Sequence, residues 1–250
     1  MNKIVFLILM LTGVVGNTQA LDSLFVEANK LYQQESYIEA LTIYQEIENK
    51  QVESGALFYN MANIYYKTNQ VAPSIYYYEK ALKIDPNNKD IIFNLEFAKR
   101  MTLDNIEPLP KSLGQKFRDN VILIFTYNTW AITAVSFAFL FAFLFLLYHF
   151  SYSTSKKRIY FIASILSVVI VSLSIFFAIK NNHYIKTTKT AIIFALQTQV
   201  KSAPTKSSEV NFELHEGTKV QILETLDNWR KIKIADGKTG WMIEEDLKEL

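Results

Sequence analysis

The residue types that most often carry out chemistry in enzymes are sparse in this 250-residue sequence, and they are not grouped. The chain has no cysteine, which excludes a thiol nucleophile, a disulfide and a cysteine-linked lipid. Its histidines, His149, His183 and His215, are far apart, and no pair has the H-E-x-x-H spacing of a zinc site. A G-x-S-x-G nucleophile elbow is also missing. We therefore expect a protein that is not an enzyme and that uses no metal or cofactor.

Charge is distributed in blocks along the chain, although the total is only +2. Residues 21–110 carry a net charge of −5, residues 111–190 carry +8, and residues 191–250 carry −2. The basic residues of the middle block stand beside apolar runs, and this pattern does not favour nucleic-acid binding. The sequence thus predicts two mildly acidic soluble parts on either side of a basic, apolar middle.

Three apolar segments point to export and to a membrane. Residues 1–20 have one lysine, a short apolar run and small residues before Ala20, which predicts a signal peptide cleaved after Ala20. An uncleaved anchor is the alternative. Residues 129–150 and 159–179 have no charged side chain, and each matches the roughly 20 residues that cross a bilayer as a helix. We expect a transmembrane hairpin.

The short connection between the two spans, residues 151–158, holds Lys156, Lys157 and Arg158, and positive loops tend to stay in the cytoplasm. Together with the export signal, this predicts a bacterial inner-membrane protein with both soluble parts in the periplasm. Residues 102–128 and 180–190 are predicted linkers. Within the first of them, residues 112–125 favour either an interfacial helix, with Asn128 or Thr129 capping the true span, or an extension of that span.

The N-terminal part repeats at an offset of 34 residues. Ala28 corresponds to Ala62, and Asn29 corresponds to Asn63. A repeat of this length with paired helices resembles the tetratricopeptide repeat. The resemblance implies an all-α solenoid of about five helices across residues 21–101, with repeats at 21–54 and 55–88 and a capping helix at 89–101.

The geometry of that repeat family implies a concave groove lined by the first helix of each repeat. The positions that would face a ligand are Phe25, Asn29, Tyr32, Tyr59, Asn63, Tyr66 and Phe93. These positions lack the lysines and arginines that grip a C-terminal carboxylate. An extended or helical peptide, held by amides and aromatic rings, is therefore the predicted ligand. The alternatives are a groove covered by a partner domain or an empty groove.

The other tyrosines of the second repeat are assigned by the same register. Tyr65 and Tyr78 stand at packing positions of the repeat. Tyr76 and Tyr77 lie on the second helix and are expected to face outward or toward the next repeat, without a ligand.

Residues 191–250 change to short runs of alternating β-branched and aromatic residues, which is typical of strands. Asp236–Gly237 marks a hairpin turn, and Gly217 marks another. This order resembles bacterial SH3-like domains, which implies a small all-β barrel of five or six strands. Such barrels bind peptides, including cell-wall peptides, or act as spacers. Trp229 and Trp241 are then either packing residues, with Trp241 plugging the barrel, or a pair that faces a ligand.

The order of signal peptide, tetratricopeptide repeats, two-helix hairpin and SH3-like domain resembles the BatE family, named after aerotolerance in Bacteroides-type bacteria. The resemblance implies an inner-membrane adaptor that works with von Willebrand A-domain membrane proteins and a MoxR-type ATPase. It also implies a link to oxidative or envelope stress. The alternative is a cell-wall sensor or anchor that binds a peptidoglycan peptide through the SH3-like domain.

Overall fold

The computed structural model describes residues 21–250, and the predicted signal peptide lies outside these residues. The described N-terminal part, here the helical domain, contains five helices, which form two helix pairs followed by a single helix. They are α1 at residues 21–33, α2 Tyr37–Asn49, α3 Gly55–Lys67, α4 Val71–Ile84 and α5 Lys89–Lys99.

Small residues set the spacing of these helices. Ala28, Ala40, Ala62 and Ala81 have no exposed surface, so the helices approach closely at these points. Aromatic rings fill the space beside them, and Tyr44 is fully buried in the resulting core. This is the packing that the 34-residue register predicts.

The turns inside the two repeats are equivalent. Glu35 and Asn69, which are one repeat apart, both adopt a left-handed backbone, with φ values of 62° and 59°. A residue in this conformation commonly ends a helix. The third helix pair is incomplete, because α5 is followed by residues 100–112, which form no regular helix or strand.

The middle of the chain begins with a short helical segment that is separate from the first long helix. α6, Leu113–Phe117, starts with a capping box formed by Ser112 and Gln115, and a π-helix, Arg118–Ile122, follows directly. A turn then leads to α7, Tyr127–Phe150. The cap of α7 is Thr126, which accepts a hydrogen bond from the Thr129 amide, so the prediction of Asn128 or Thr129 as the cap was wrong.

The second long helix, α8, runs from Thr154 to Thr187 and exceeds the predicted span at both ends. Residues 154–158 were predicted as loop and residues 180–187 as linker, yet both are helical. The segment contains neither glycine nor proline, so nothing in it stops the helix where the apolar run ends. The connection between α7 and α8 is consequently only residues 151–153.

Within the described residues, α7 and α8 are the two helices that are long and apolar enough to cross a membrane. They pack against each other through small residues, since Ala134, Ser164, Ser167 and Ser174 are all buried. The hydroxyls of Ser164 and Ser167 bond back to their own helix, to the carbonyls of Phe161 at 2.7 Å and Ala163 at 2.9 Å. Large apolar side chains such as Phe139, which is 74% exposed, cover the outside.

The C-terminal part, here the β-domain, is an antiparallel sheet that begins two residues after α8. Its seven strands in the described chain are β1 Lys189–Ile193, β2 Gln197–Lys201, β3 Val210–His215, β4 Lys219–Leu226, β5 Trp229–Lys233, β6 Thr239–Ile243 and β7 Leu247–Glu249. Their order across the sheet is β3-β2-β6-β5-β4-β1-β7. Five or six strands were predicted, whereas residues 189–250 form seven. One of the seven is the short β7, which pairs with β1.

The predicted turns of the β-domain are present. Gly217 lies between β3 and β4 with φ +85°, and Gly237 lies between β5 and β6 with φ +93°. The core is built from Ile193, Val200, Ile232 and Met242, none of which is exposed. β6 thus contributes Met242 to the core, and Trp241 points to the other face, so the alternative in which Trp241 plugs the barrel was wrong.

Candidate functional site

A groove of about 360 Å³ lies in the helical domain, where α1, α3 and α5 present their inner faces. The residues that line it are Tyr32, Tyr59, Asn63, Tyr66, Lys67, Tyr78, Phe93, Asn94 and Phe97. This set combines aromatic rings with amide groups. Such a surface offers both apolar contact and directed hydrogen bonds to a ligand.

Five of the seven residues predicted for the groove line it together, namely Tyr32, Tyr59, Asn63, Tyr66 and Phe93. The other two, Phe25 and Asn29, lie on α1 before Tyr32 and do not line the groove. The Phe25 ring packs against Tyr44 with 5.8 Å between ring centroids, and Asn29 accepts hydrogen bonds from other side chains.

Sequence reasoning missed Asn94 and Phe97 on α5 and Lys67 at the end of α3. Asn94 matches Asn60 in the 34-residue register, and Phe97 lies one helical turn after Phe93. Both signals were present in the sequence.

Asparagine and tyrosine side chains form the same hydrogen-bonded cluster in both repeats. In the first, Asn29 Oδ1 accepts from the Tyr44 hydroxyl at 2.6 Å and from Asn60 Nδ2 at 2.8 Å. The equivalent Asn63 Oδ1 accepts from the Tyr78 hydroxyl at 2.5 Å and from Asn94 Nδ2 at 3.1 Å. The cluster thus joins each repeat to the next and fixes the orientation of the asparagine amides.

Burial of Tyr44 and Tyr78 strengthens these hydrogen-bonded clusters. It raises the pKa of Tyr44 to about 12 and raises the pKa of Tyr78 far above its ordinary value. Both phenols therefore remain protonated over the physiological range and act as donors to the asparagine oxygens.

Tyr76 and Tyr77 do not face solvent or a further repeat, so the prediction for them was wrong. Both are buried where α4 meets the β-domain. The Tyr76 ring meets Phe194 edge to face at 5.7 Å, and Lys248 Nζ lies 4.5 Å from its centroid. Tyr77 donates a hydrogen bond to Glu48 at 2.8 Å and stacks on Tyr65.

The junction, defined as the contact of the β-domain with α4 and with residues 102–110, is close-packed. A Cβ placed on Gly217 would lie 2.8 Å from Thr102 and 3.0 Å from both Ile75 and Val71. Lys219 pairs with Glu79 of α4 at 2.6 Å. The β-domain therefore packs directly against α4, the second helix of the second repeat.

Asp104 is the polar centre of the junction. Its carboxylate accepts from the His215 amide at 2.8 Å, from His215 Nδ1 at 2.7 Å and from the Thr218 hydroxyl at 2.6 Å. Burial alone would raise the pKa of Asp104, but the bonds from Thr218 and His215 outweigh it and lower the pKa below its ordinary value. The charged form of Asp104 is thus the form that holds the junction.

Comparison with known families finds a match in the helical domain and another in the β-domain. Residues 56–88 match the tetratricopeptide repeat. Residues 197–248 match the bacterial SH3 domain. From these matches we now call the helical domain (residues 21–99) the TPR domain and the β-domain (residues 189–250) the SH3 domain. A comparison with curated proteins finds no match to the chain.

The two matched kinds of domain indicate protein–protein interaction. In this chain the groove belongs to the TPR domain alone, because all of its lining residues come from α1, α3, α4 and α5. The SH3 domain packs on α4, and no residue of it lines the groove as described. The groove is therefore left open by the described chain.

Trp229 and Trp241 share one face of the SH3 sheet, opposite the face that carries Ile232 and Met242. Strand register places Trp229 opposite Ile243 and Trp241 opposite Lys231. Trp229 is 8% exposed and borders a polar depression of about 460 Å³ that also includes Lys201 and Glu213. Trp241 is only half-buried and does not plug the barrel.

Proposed function

We propose that this protein is a non-enzymatic adaptor of the bacterial inner membrane that holds a protein partner in the groove of its TPR domain. The observation that carries the proposal is the open groove itself, with its aromatic rings and oriented amides. Aromatic side chains provide large contact areas at low entropic cost, and they commonly dominate the binding energy of protein interfaces.

The arrangement of α7 and α8 supports a membrane anchor with both domains on one side. The start of α7 lies beside the end of α8, where the Trp130 ring contacts Phe177 at 5.0 Å. Asn181 of α8 also donates hydrogen bonds to the carbonyls of Ile122 and Phe125, just before α7. The TPR domain precedes this end of the hairpin and the SH3 domain follows it. On the opposite side, Lys156, Lys157 and Arg158 favour the cytoplasm.

Sidedness can be checked with reporter fusions. Alkaline phosphatase fused after Leu250 should be active, because this enzyme works only after export, and a cytosolic reporter at the same point should be inactive. A fusion at Ser153 should show the reverse pattern. Activity of the cytosolic reporter after Leu250 would exclude a periplasmic SH3 domain.

The order of the domains supports a role of the BatE type, in a complex that protects bacteria against oxidative or envelope stress. The partners we propose are von Willebrand A-domain membrane proteins, acting with a MoxR-type ATPase. The proposal rests on domain order, on the matched TPR and SH3 regions and on the two apolar helices.

The groove is tested by replacing two of its rings. Tyr59→Ala with Tyr66→Ala should release most of the co-purifying membrane proteins in a detergent pull-down with mass spectrometry, because each ring supplies a large apolar contact. We expect at least a tenfold loss for the partner held there, equivalent to about 1.4 kcal/mol. Tyr152→Ala, at a fully exposed tyrosine outside the groove, is the matched control. Unchanged recovery by a folded double variant would disprove groove binding.

A second candidate is a sensor or anchor that binds a cell-wall peptide through the SH3 domain. The observation that favours it is the polar depression beside Trp229, where Lys201 and Glu213 offer charges of both signs to a peptide. A pull-down of peptidoglycan fragments by the wild-type chain, the Trp229→Ala variant and the groove double variant separates the candidates. Loss of peptidoglycan fragments in the Trp229→Ala variant, with the groove variant unaffected, would favour the second candidate.

A further inference from the structure

The segment that joins the TPR domain to the two apolar helices crosses the surface of the SH3 domain. Residues 103–109, here the strap, form neither helix nor strand, and they run from the turn between β3 and β4 to the turn between β5 and β6. Pro108 and Pro110 favour an extended backbone in the residues that precede them. The strap therefore lies on the SH3 domain in the way an extended peptide would, although it is part of a linker.

The strap is held at three points. The Asp104 carboxylate accepts hydrogen bonds from the amide and ring of His215 and from the hydroxyl of Thr218. Two residues later, Ile106 packs against the apolar core of the SH3 domain. The backbone N–H of Leu109 then donates to a carbonyl of the β5–β6 turn at 3.1 Å. The SH3 surface thus matches an acidic side chain, an aliphatic side chain and a backbone amide in turn.

Burial alternates along the strap. The Asp104 side chain is 11% exposed and Ile106 is half-buried, whereas Leu103, Asn105 and Glu107 are exposed. Alternate side chains of an extended segment point to opposite sides, so Asp104 and Ile106 are the two that the SH3 domain contacts. Recognition therefore depends on the pattern Asp-x-Ile and not on the residues between.

Open space borders the strap on both sides. A cleft of about 440 Å³ lies between the strap and β3, and another of about 760 Å³ lies between the strap, α5 and β4. Asp104, Asn105 and Ile106 line both clefts. The strap thus occupies a narrow line within a wider surface, and a second extended segment has room to approach that surface as the strap leaves it.

We propose that this surface of the SH3 domain binds an extended Asp-x-Ile segment of a protein partner, and that the strap occupies the site as a built-in competitor. Hydrogen bonds to a charged carboxylate are stronger than bonds between neutral groups, so the aspartate is the main determinant. Because the strap is tethered, its effective concentration is on the order of millimolar, and it keeps the site closed against weak ligands. The site lies outside the TPR groove, so this inference goes beyond the proposed function.

The probe is a fluorescent peptide with the sequence of residues 102–110, TLDNIEPLP, added to the full chain in detergent. Binding to the wild-type chain should be weak, because the strap competes. A chain with Asp104→Ala and Ile106→Ala has lost both side chains that hold the strap, so it should bind the peptide at least about tenfold more tightly by fluorescence anisotropy. Leu103→Ala with Glu107→Ala changes exposed side chains of the strap and is the matched control, which should bind like the wild type.

The peptide itself is varied to test specificity. Asp104→Asn in the peptide keeps its shape but removes the charge, and affinity should fall by about tenfold. Asn105→Ala in the peptide, at a position that is exposed in the strap, should have little effect. A photo-crosslinking group in place of Leu109 should attach to residues 234–238 of the wild-type chain at millimolar peptide. This last measurement locates the site without any change to the protein.

The results distinguish a binding site from a structural linker. If the doubly substituted chain is folded by circular dichroism but binds the peptide no better than the wild type, or if the asparagine peptide binds equally well, the inference is wrong. Should that chain fail to fold, the cross-link decides, and attachment outside residues 234–238 would overturn the proposal. A wild-type dimer that the peptide dissociates would make a second copy the occupant and contradict a partner's segment. The TPR groove is tested separately by its own double variant.

Discussion

Replacement of Gly217 by alanine is expected to cost the protein roughly 2–5 kcal/mol of stability at the junction of its two domains. Two effects combine. The φ of +85° is rarely adopted by residues with a side chain, and the new Cβ would lie 2.8 Å from Thr102 Cγ2. Ile75 and Val71 stand on the other sides at 3.0 Å, so the turn cannot shift without opening the packing against α4.

The change at Gly217 can be measured by thermal unfolding of the purified chain and by trypsin cleavage at Lys111, which lies just after the junction. The variant should unfold at lower temperature and be cleaved faster. Gly114→Ala is the matched control, because nothing lies within 4 Å of a Cβ there and the residue sits in helix α6. If Gly217→Ala matches the wild type in both assays, the junction is not close-packed in solution.

Removal of the Asp104 carboxylate is expected to have the second large effect. Asp104→Ala leaves the His215 amide, His215 Nδ1 and the Thr218 hydroxyl without their acceptor, and the carboxylate they bind is only 11% exposed. Unsatisfied donors of this kind cost about 1–3 kcal/mol each, and partial access to water reduces the sum to roughly 2–4 kcal/mol. Glu107→Ala removes an exposed carboxylate from the same segment and should have little effect.

The contribution of Asp104 depends on pH in a defined direction. Its folded pKa is lowered, so the stabilisation is fully present above the unfolded value of about 3.9 and is lost as pH falls through the folded pKa. The stability difference between wild type and Asp104→Ala should therefore be constant near neutral pH and shrink below about pH 4. A difference that grows on acidification would show that the charged carboxylate is not what holds the junction.

Local patterns explain why much of the architecture could be predicted. The 34-residue register places small residues at helix contacts and aromatic residues beside them, and these preferences act within one or two helices. Gly217 and Gly237 mark turns because their φ values are positive, which is again a local property. Apolar composition likewise indicates α7 and α8, although it does not mark their ends.

Predictions failed where a side chain's surroundings come from a distant part of the chain. Tyr76 and Tyr77 were predicted to face outward or toward the next repeat because the sequence of α4 does not reveal that Phe194 and Lys248 cover it. The sequence left open whether Trp241 plugs the barrel or faces a ligand, because an alternating strand does not reveal which of its two faces is buried. Met242 takes that place, and the choice depends on how β6 pairs with β5.

By itself, the sequence determined the helical repeat, the two apolar helices, the strand-rich C-terminal part and five of the residues that line the groove. Each of these features follows from residue spacing along one or two elements. Only the tertiary structure decided that the SH3 domain packs against the unfinished end of the TPR domain and leaves the groove open. That contact joins residues such as Asp104 with His215 and Glu79 with Lys219, which are more than 100 positions apart. The stability of this contact between the domains comes from burial and from paired charges. The two surfaces that meet are far apart in the sequence, so no local pattern of residues predicts that they pair.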